Sequence, residues 1–240
     1  YNHTVDFETD DEIRSLALAI EDMRLSLINQ EEYRNQMYQN ISHDFKTPLT
    51  VIKSYIEAVE DEVEDEKTAL TVIKEQTSKL EQKVHSLLYL NKLDYLKSTK
   101  NIKIVPVDME KIINLEVEKF KFHRKDINFI VEIDKKSHYV GTEENWETIL
   151  DNLLSNFMRY TATTIKIIAK QNKLILYNDG ENIDKDFLDG IFTPFRKGIK
   201  GEFGLGLSIV KKTLNLMNYD IMISNEKKGV SFIITKESHK

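Results

Sequence analysis

The sequence predicts two folds in succession: a helical hairpin that would become a four-helix bundle in a dimer, then an α+β two-layer sandwich. Three observations predict this. Asp10 to Lys97 contains no glycine and one proline, Pro48, whereas seven prolines and glycines fall between Pro106 and Gly201. Apolar residues step by threes and fours in the first stretch and alternate by two in parts of the second. The 240 residues are also too many for one small core, and two compact units suit them. By this reading 1–28 is an entering coiled-coil helix, 29–99 the hairpin and 100–240 the sandwich.

In the first helix Ile13, Leu16, Ile20, Met23 and Leu27 keep heptad spacing, and Met37 and Ile41 resume it after polar seam positions at Gln30 and Arg34. Ile41, Phe45 and Leu49 then step by consecutive fours, a stutter that locally unwinds a supercoil. Ile52, Ile56, Val59 and Val63 return to the repeat. The acidic run Glu60 to Glu66 reads as a hairpin turn. Leu70, Ile73, Thr77, Leu80, Val84, Leu87 and Asn91 form the second helical seam. Two helices with one apolar stripe each cover little, so a second copy is expected to complete the bundle as a homodimer.

Beyond residue 100, Ile127, Phe129, Val131 and Ile133 alternate as a half-buried strand. A helix is expected from Glu143 to Tyr160, and two strands near Thr164–Ala169 and Leu174–Tyr177 are joined by a turn at Gln171 and Asn172. A last helix from about Leu207 to Met217 leads into strands at Ile221–Ser224 and Val230–Ile234. Strand, helix, hairpin, helix, hairpin gives helices on one face of a mostly antiparallel sheet.

Composition excludes several function classes. A net charge of −6 argues against a nonspecific grip on nucleic acid. The absence of cysteine removes disulfides, thiolate metal sites and cysteine nucleophiles. None of the histidines shows metal-ligand spacing.

One histidine stands apart by geometry. At about 100° per residue, His43 lies about 200° from the seam positions Ile41 and Phe45, so it points away from the helical core. Thr47 shares its outward face and Asp44 sits beside it. Pro48 lacks an N–H and crowds the carbonyl of Asp44, which predicts a bend within the stutter. An exposed neutral imidazole on a rigid helix is a competent nucleophile, and the Asp44 carboxylate could hold the opposite ring N–H.

Ile41-Ser42-His43-Asp44-Phe45-Lys46-Thr47-Pro48-Leu49 resembles the phosphoacceptor box of bacterial two-component sensor histidine kinases. The resemblance implies that His43 is autophosphorylated, that Asp44 is the adjacent acid/base, and that Thr47 positions water when the protein dephosphorylates its response regulator. Asp11 to Met23 is similar to the second helix of a HAMP linker, which implies a membrane anchor upstream and a cytoplasmic place for this portion.

The second half holds a matching set. Asn152 and Asn156 lie four apart, with Arg159 and Tyr160 within a further turn, all on one helical face. Asparagine carbonyls are hard oxygen ligands that suit Mg²⁺, and Arg159 can meet phosphates with its fork of donors. Gly180 follows a strand, in a turn that lets backbone approach a ligand. Gly204-Leu205-Gly206-Leu207 opens a helix whose free N–H groups and dipole could hold an anion. These segments resemble the N box (Asn152 to Asn156), first glycine box (Asn178-Asp179-Gly180), F box (Phe192-Thr193-Pro194-Phe195) and second glycine box of the same family. The resemblance implies the ATP-binding fold shared with Hsp90-type and gyrase-type ATPases. By it Asn156 ligands Mg²⁺, Asn152 and Arg159 lie near the phosphates, Tyr160 borders the nucleotide, and 196–203 forms a short lid.

Three departures from the family pattern stand out. Asn178 occupies the place of the adenine-binding carboxylate, Asn182 replaces a glycine, and Gly201 lies one residue farther from Gly204 than usual. A neutral hydrogen bond from the adenine amino group to Asn178 would give about tenfold weaker binding than a charged one. Asp179 turning inward is the alternative. Two other functions remain in view: a non-catalytic dimeric scaffold with a degenerate pocket, and an ATPase coupling hydrolysis to shape change.

Overall fold

The computed structural model describes residues 11–99, 104–134, 137–196, 198 and 204–237. The first ten residues of the expected entering helix (1–28) and most of the expected lid therefore lie outside the described residues. By packing, the chain divides into two units after Ser78, inside its second helix. Each unit is described by itself.

The first unit holds α1 (Asp11–Glu60) and the start of α2 (Glu66–Thr99). Helix α1 continues through Pro48, which is buried. One turn earlier the Thr47 hydroxyl donates to the His43 carbonyl at 3.3 Å, adding a side-chain donor beside the N–H that proline lacks. The acidic run makes the turn: Val63 and Glu64 N–H both bond to the Ala58 carbonyl, with Glu62 at φ 56°. Asp65 caps α2 by accepting from Thr68 N–H at 3.0 Å. The expected seam residues Ile13, Leu16, Ile20, Met23, Leu27, Leu49, Ile56 and Val63 are all exposed on the single chain.

In the second unit, β1 (Val105–Val107) pairs antiparallel with β3 (Tyr139–Gly141). A five-stranded sheet follows the order β2-β4-β5-β7-β6, where β2 is Asn128–Ile133, β4 Thr164–Lys170, β5 Lys173–Asn178, β6 Tyr219–Asn225 and β7 Val230–Lys236. Strands β2 and β4 are parallel, because β3 and α4 (Glu143–Tyr160) form a crossover between them; the other pairings are antiparallel. Helices α3 (Met109–His123), α4 and α6 (Gly206–Leu216) share one core with the inward residues of the sheet, among them Ile165, Ile167, Leu174, Leu176, Phe232 and Ile234. A four-residue helix, α5 (Lys185–Leu188), lies between β5 and α6.

Trp146 on α4 anchors that core. It meets Tyr139 and Tyr219 edge-on at 5.5 and 5.2 Å, and its indole N–H donates to the Val140 carbonyl at 3.1 Å. The Tyr139 hydroxyl reaches the carbonyls of Lys170 and Lys173 and so closes the β4–β5 hairpin. Every element expected from the pattern is present to within about two residues. Helix α3, α5 and the three-residue strands β1 and β3 come in addition.

Candidate functional site

On α1 the His43 side chain is 83% exposed, on the outer side of the helix as its spacing requires. Asp44 differs from the expectation. Its side chain is only 8% exposed, and its carboxylate stands 3.8 Å from His43 Nδ1, too far for a hydrogen bond. The cause is rotational: one residue turns the helix by about 100°, which carries Asp44 toward the side of Ile41 and Pro48.

The second unit encloses a cavity of about 1140 Å³. Helix α4 lines it with Asn152, Ser155, Asn156, Arg159 and Tyr160, and the end of β5 with Asn178. Gly204, Leu205, Gly206 and Leu207 bring the start of α6 to its wall. That helix start has no side-chain cap, so its first N–H groups are left for a ligand or water. Asn152 donates to the Thr148 carbonyl at 2.7 Å, and its Oδ1 lies 3.0 Å from where a Cβ on Gly206 would stand. Glycine there lets the α6 terminus approach the asparagine face. Leu205 has a second role, packing with Ile209 against Leu90 and Leu93 of α2.

Gly180 is the exception among the expected cavity residues. It is not in the wall, and a Cβ on it would stand 2.2 Å from the Tyr160 carbonyl. The glycine is required by backbone passing the end of α4 rather than by close approach to a ligand. Asn178 and Asp179 divide their tasks. Asn178 lines the cavity, and its Oδ1 accepts from Gly180 N–H at 3.0 Å. Asp179 accepts from the N–H groups of Ala162, Thr163 and Thr164 and from the Thr163 hydroxyl. Burial alone would raise its carboxyl, but these bonds, led by that of Thr163, hold it at about 2.

The loop that the family resemblance makes a lid is closed at its base, where Phe195 N–H donates to the Gly204 carbonyl at 2.8 Å. Gly204 takes φ +73°, and a Cβ there would stand 2.7 Å from Phe195 backbone. At the near end, Arg196 donates to the Asp186 carbonyl and lies over the Phe187 ring at 5.1 Å. Cations outside any expected box also line the cavity: Lys79 and Lys83 from α2, Lys119 from α3. No local pattern marks them, since each lies on a helix remote in sequence from the glycine loops; only their periodic exposure on those helices could have pointed to them.

This combination, an outward histidine on a hairpin and an uncapped helix end at a large cavity, is matched by comparison. Residues 33–96 match the His Kinase A (phospho-acceptor) domain, and residues 141–239 match the histidine kinase-, DNA gyrase B- and HSP90-like ATPase. The chain belongs to the sensor histidine kinases. It is 38% identical, over 98% of its length, to the sensor histidine kinase CssS of Bacillus subtilis and 32% identical, over 85%, to the sensor protein kinase WalK of Staphylococcus aureus. It spans about half of each relative, 53% and 54%. Among solved structures, histidine kinase ThkA in complex with response regulator protein TrrA aligns at TM-score 0.66 over 95% of this chain and 67% of that one, with 21% identity. The Acinetobacter baumannii histidine kinase AdeS aligns at 0.66 over 81% of this chain and 96% of that one, with 20% identity. These two show the fold.

The cavity could take a nucleoside triphosphate, since the uncapped start of α6, the Arg159 guanidinium and the buried Asn178 amide all lie in its wall. A divalent ion would have to rely on phosphate oxygens, water and the Asn156 carbonyl. Among the described residues no group of three or more His, Asp or Glu could hold a metal.

Proposed function

We propose that this chain is the cytoplasmic portion of a bacterial plasma-membrane sensor histidine kinase that phosphorylates His43 from ATP. It then passes the phosphoryl group to an aspartate of a response regulator and also dephosphorylates that regulator. The exposed His43 imidazole on a phosphoacceptor helix carries this reading. Residues 1–28 act as the HAMP-like signalling helix, 29–99 as the dimerisation and phosphotransfer hairpin, and 100–240 as the ATP-binding domain. A response regulator is seated on a kinase in the ThkA–TrrA complex, and the exposed apolar seam of α1 suits a homodimer.

Phosphoryl transfer asks the protein mainly for alignment and for neutralisation of phosphate charge. The α6 terminus and Arg159 hold the phosphates with Asn152 near them, Tyr160 borders the nucleotide, and Asn178 meets the base. Mg²⁺, when bound beside Asn156, supplies further neutralisation. The His43 imidazole attacks the γ-phosphorus in line as the bond to the β–γ bridging oxygen breaks and ADP departs, and the ring N–H proton is left toward Asp44 or water. Asp44 orients the ring once its carboxylate closes about 1 Å toward Nδ1, as catalytic hydrogen bonds often do on substrate binding. Thr47 spends its hydroxyl on a long bond to the His43 carbonyl, weak enough to be exchanged for a water during dephosphorylation.

Incubation with γ-labelled ATP tests the reading. Wild type acquires acid-labile, base-stable label, and His43→Ala acquires none. Label persisting on His43→Ala places the acceptor elsewhere. Nucleotide binding with no label on wild type selects the non-catalytic scaffold.

A further inference from the structure

The base-recognising end of the cavity is a buried amide with a fixed orientation. Asn178 is 4% exposed, and the wall of the cavity is where it is reached. Gly180 N–H donates to its side chain at 3.0 Å, and only the oxygen of a carboxamide can accept, so this bond assigns Oδ1 to Gly180. Nδ2 is left as the edge available to a ligand. It makes no hydrogen bond to a described residue, and it is not among the polar atoms sealed from solvent without a partner.

A carboxylate in this place has two acceptor oxygens, one for Gly180 N–H and one for the exocyclic amine of adenine. The carboxamide has one oxygen, held on the Gly180 side by its bond to that N–H, and a pair of N–H donors at the edge left for a ligand. Facing adenine, those donors meet the donor at C6. Facing a purine with a carbonyl at C6, they meet an acceptor. Asp179 does not restore the missing acceptor, because both its oxygens are bonded to the 162–164 backbone and the Thr163 hydroxyl.

We propose that Asn178 makes the cavity accept 6-oxopurine nucleotides, of the inosine and guanosine class, at least as well as adenine nucleotides. This rests on reading the cavity as a nucleotide site. Titration calorimetry of the whole chain with ADP and IDP, each with Mg²⁺, tests it. IDP is expected to bind as tightly as ADP or more tightly. Asn178→Asp supplies the second acceptor and is expected to shift the ADP-to-IDP affinity ratio by about tenfold or more toward ADP. Wild type binding ADP more than about threefold tighter than IDP overturns the assignment while leaving the nucleotide site intact. Neither nucleotide binding overturns the site itself, and the assignment with it. The wild-type comparison decides even if the variant fails to fold.

Discussion

Two carboxylates show how far a single residue can be read. Asp179 has its pKa at about 2 against an ordinary 3.8, so its stabilisation is complete above 3.8 and fades as pH falls through 2. Asp179→Asn is expected to lower unfolding free energy by about 2 kcal/mol at pH 7, with the gap to wild type closing between pH 4 and 2. Urea unfolding across that range measures it, and a gap that persists at pH 2 contradicts the carboxylate account. Glu116 on α3 is the opposite case. It is 1% exposed, burial raises its carboxyl, and Lys119 at 2.6 Å only partly offsets this; Oε2 has no hydrogen-bond partner among the described residues. A raised pKa gives stability that is present below 4.5 and lost as pH rises through the folded-state value. Glu116→Gln is therefore expected to resist more urea than wild type at pH 7 and to match it below pH 4.5. Neither environment is legible in sequence. Asp179 reads as one residue of a turn and Glu116 as one charge on an amphipathic helix, whereas the outward face of His43 follows from the helical angle alone.

At the level of elements, long periodic segments were legible and short ones were not. Helix α4 spans Glu143–Tyr160, as its pattern predicts, because Thr142 caps it and six buried apolar residues repeat at helical spacing. Helix α3 carries a comparable stripe, Met109, Ile112, Ile113, Val117 and Phe120, behind an Asp108 cap. The buried Glu116 interrupts that stripe and obscures it. Strands of three residues such as β1 and β3 are too short to show a period of two. Helix α2 divides its work along its length, since its later turns bury Leu90 and Leu93 against Leu205 and Ile209, with Lys212 bonded to Asp94 at 2.6 Å. Leu93→Ala is expected to cost about 2 to 4 kcal/mol in chemical denaturation of the second unit, whereas Asp94→Ala costs under about 1 kcal/mol because that ion pair is exposed. Equal costs for the two variants would mean that charge rather than packing fixes α2 there.

For the whole molecule, the exposed α1 seam is what a single chain leaves unfinished. Sedimentation at micromolar concentration is expected to show a dimer, and Leu49→Asp combined with Ile56→Asp a monomer; a monomeric wild type excludes the bundle. Among the described residues no helix is long and apolar enough to cross a membrane. The sequence by itself determined the order of helices and strands, the outward histidine and the asparagine and glycine segments that line the cavity through Asn152, Asn156, Asn178 and Gly204 to Leu207, because periodicity and local backbone chemistry operate within a few residues. Tertiary structure alone decided that Asp44 turns inward, that Gly180 answers to the Tyr160 carbonyl, and which edge of Asn178 remains for a ligand. Those outcomes depend on which backbone donors and acceptors from distant segments arrive beside a side chain, and buried polar groups must bond to whatever arrives.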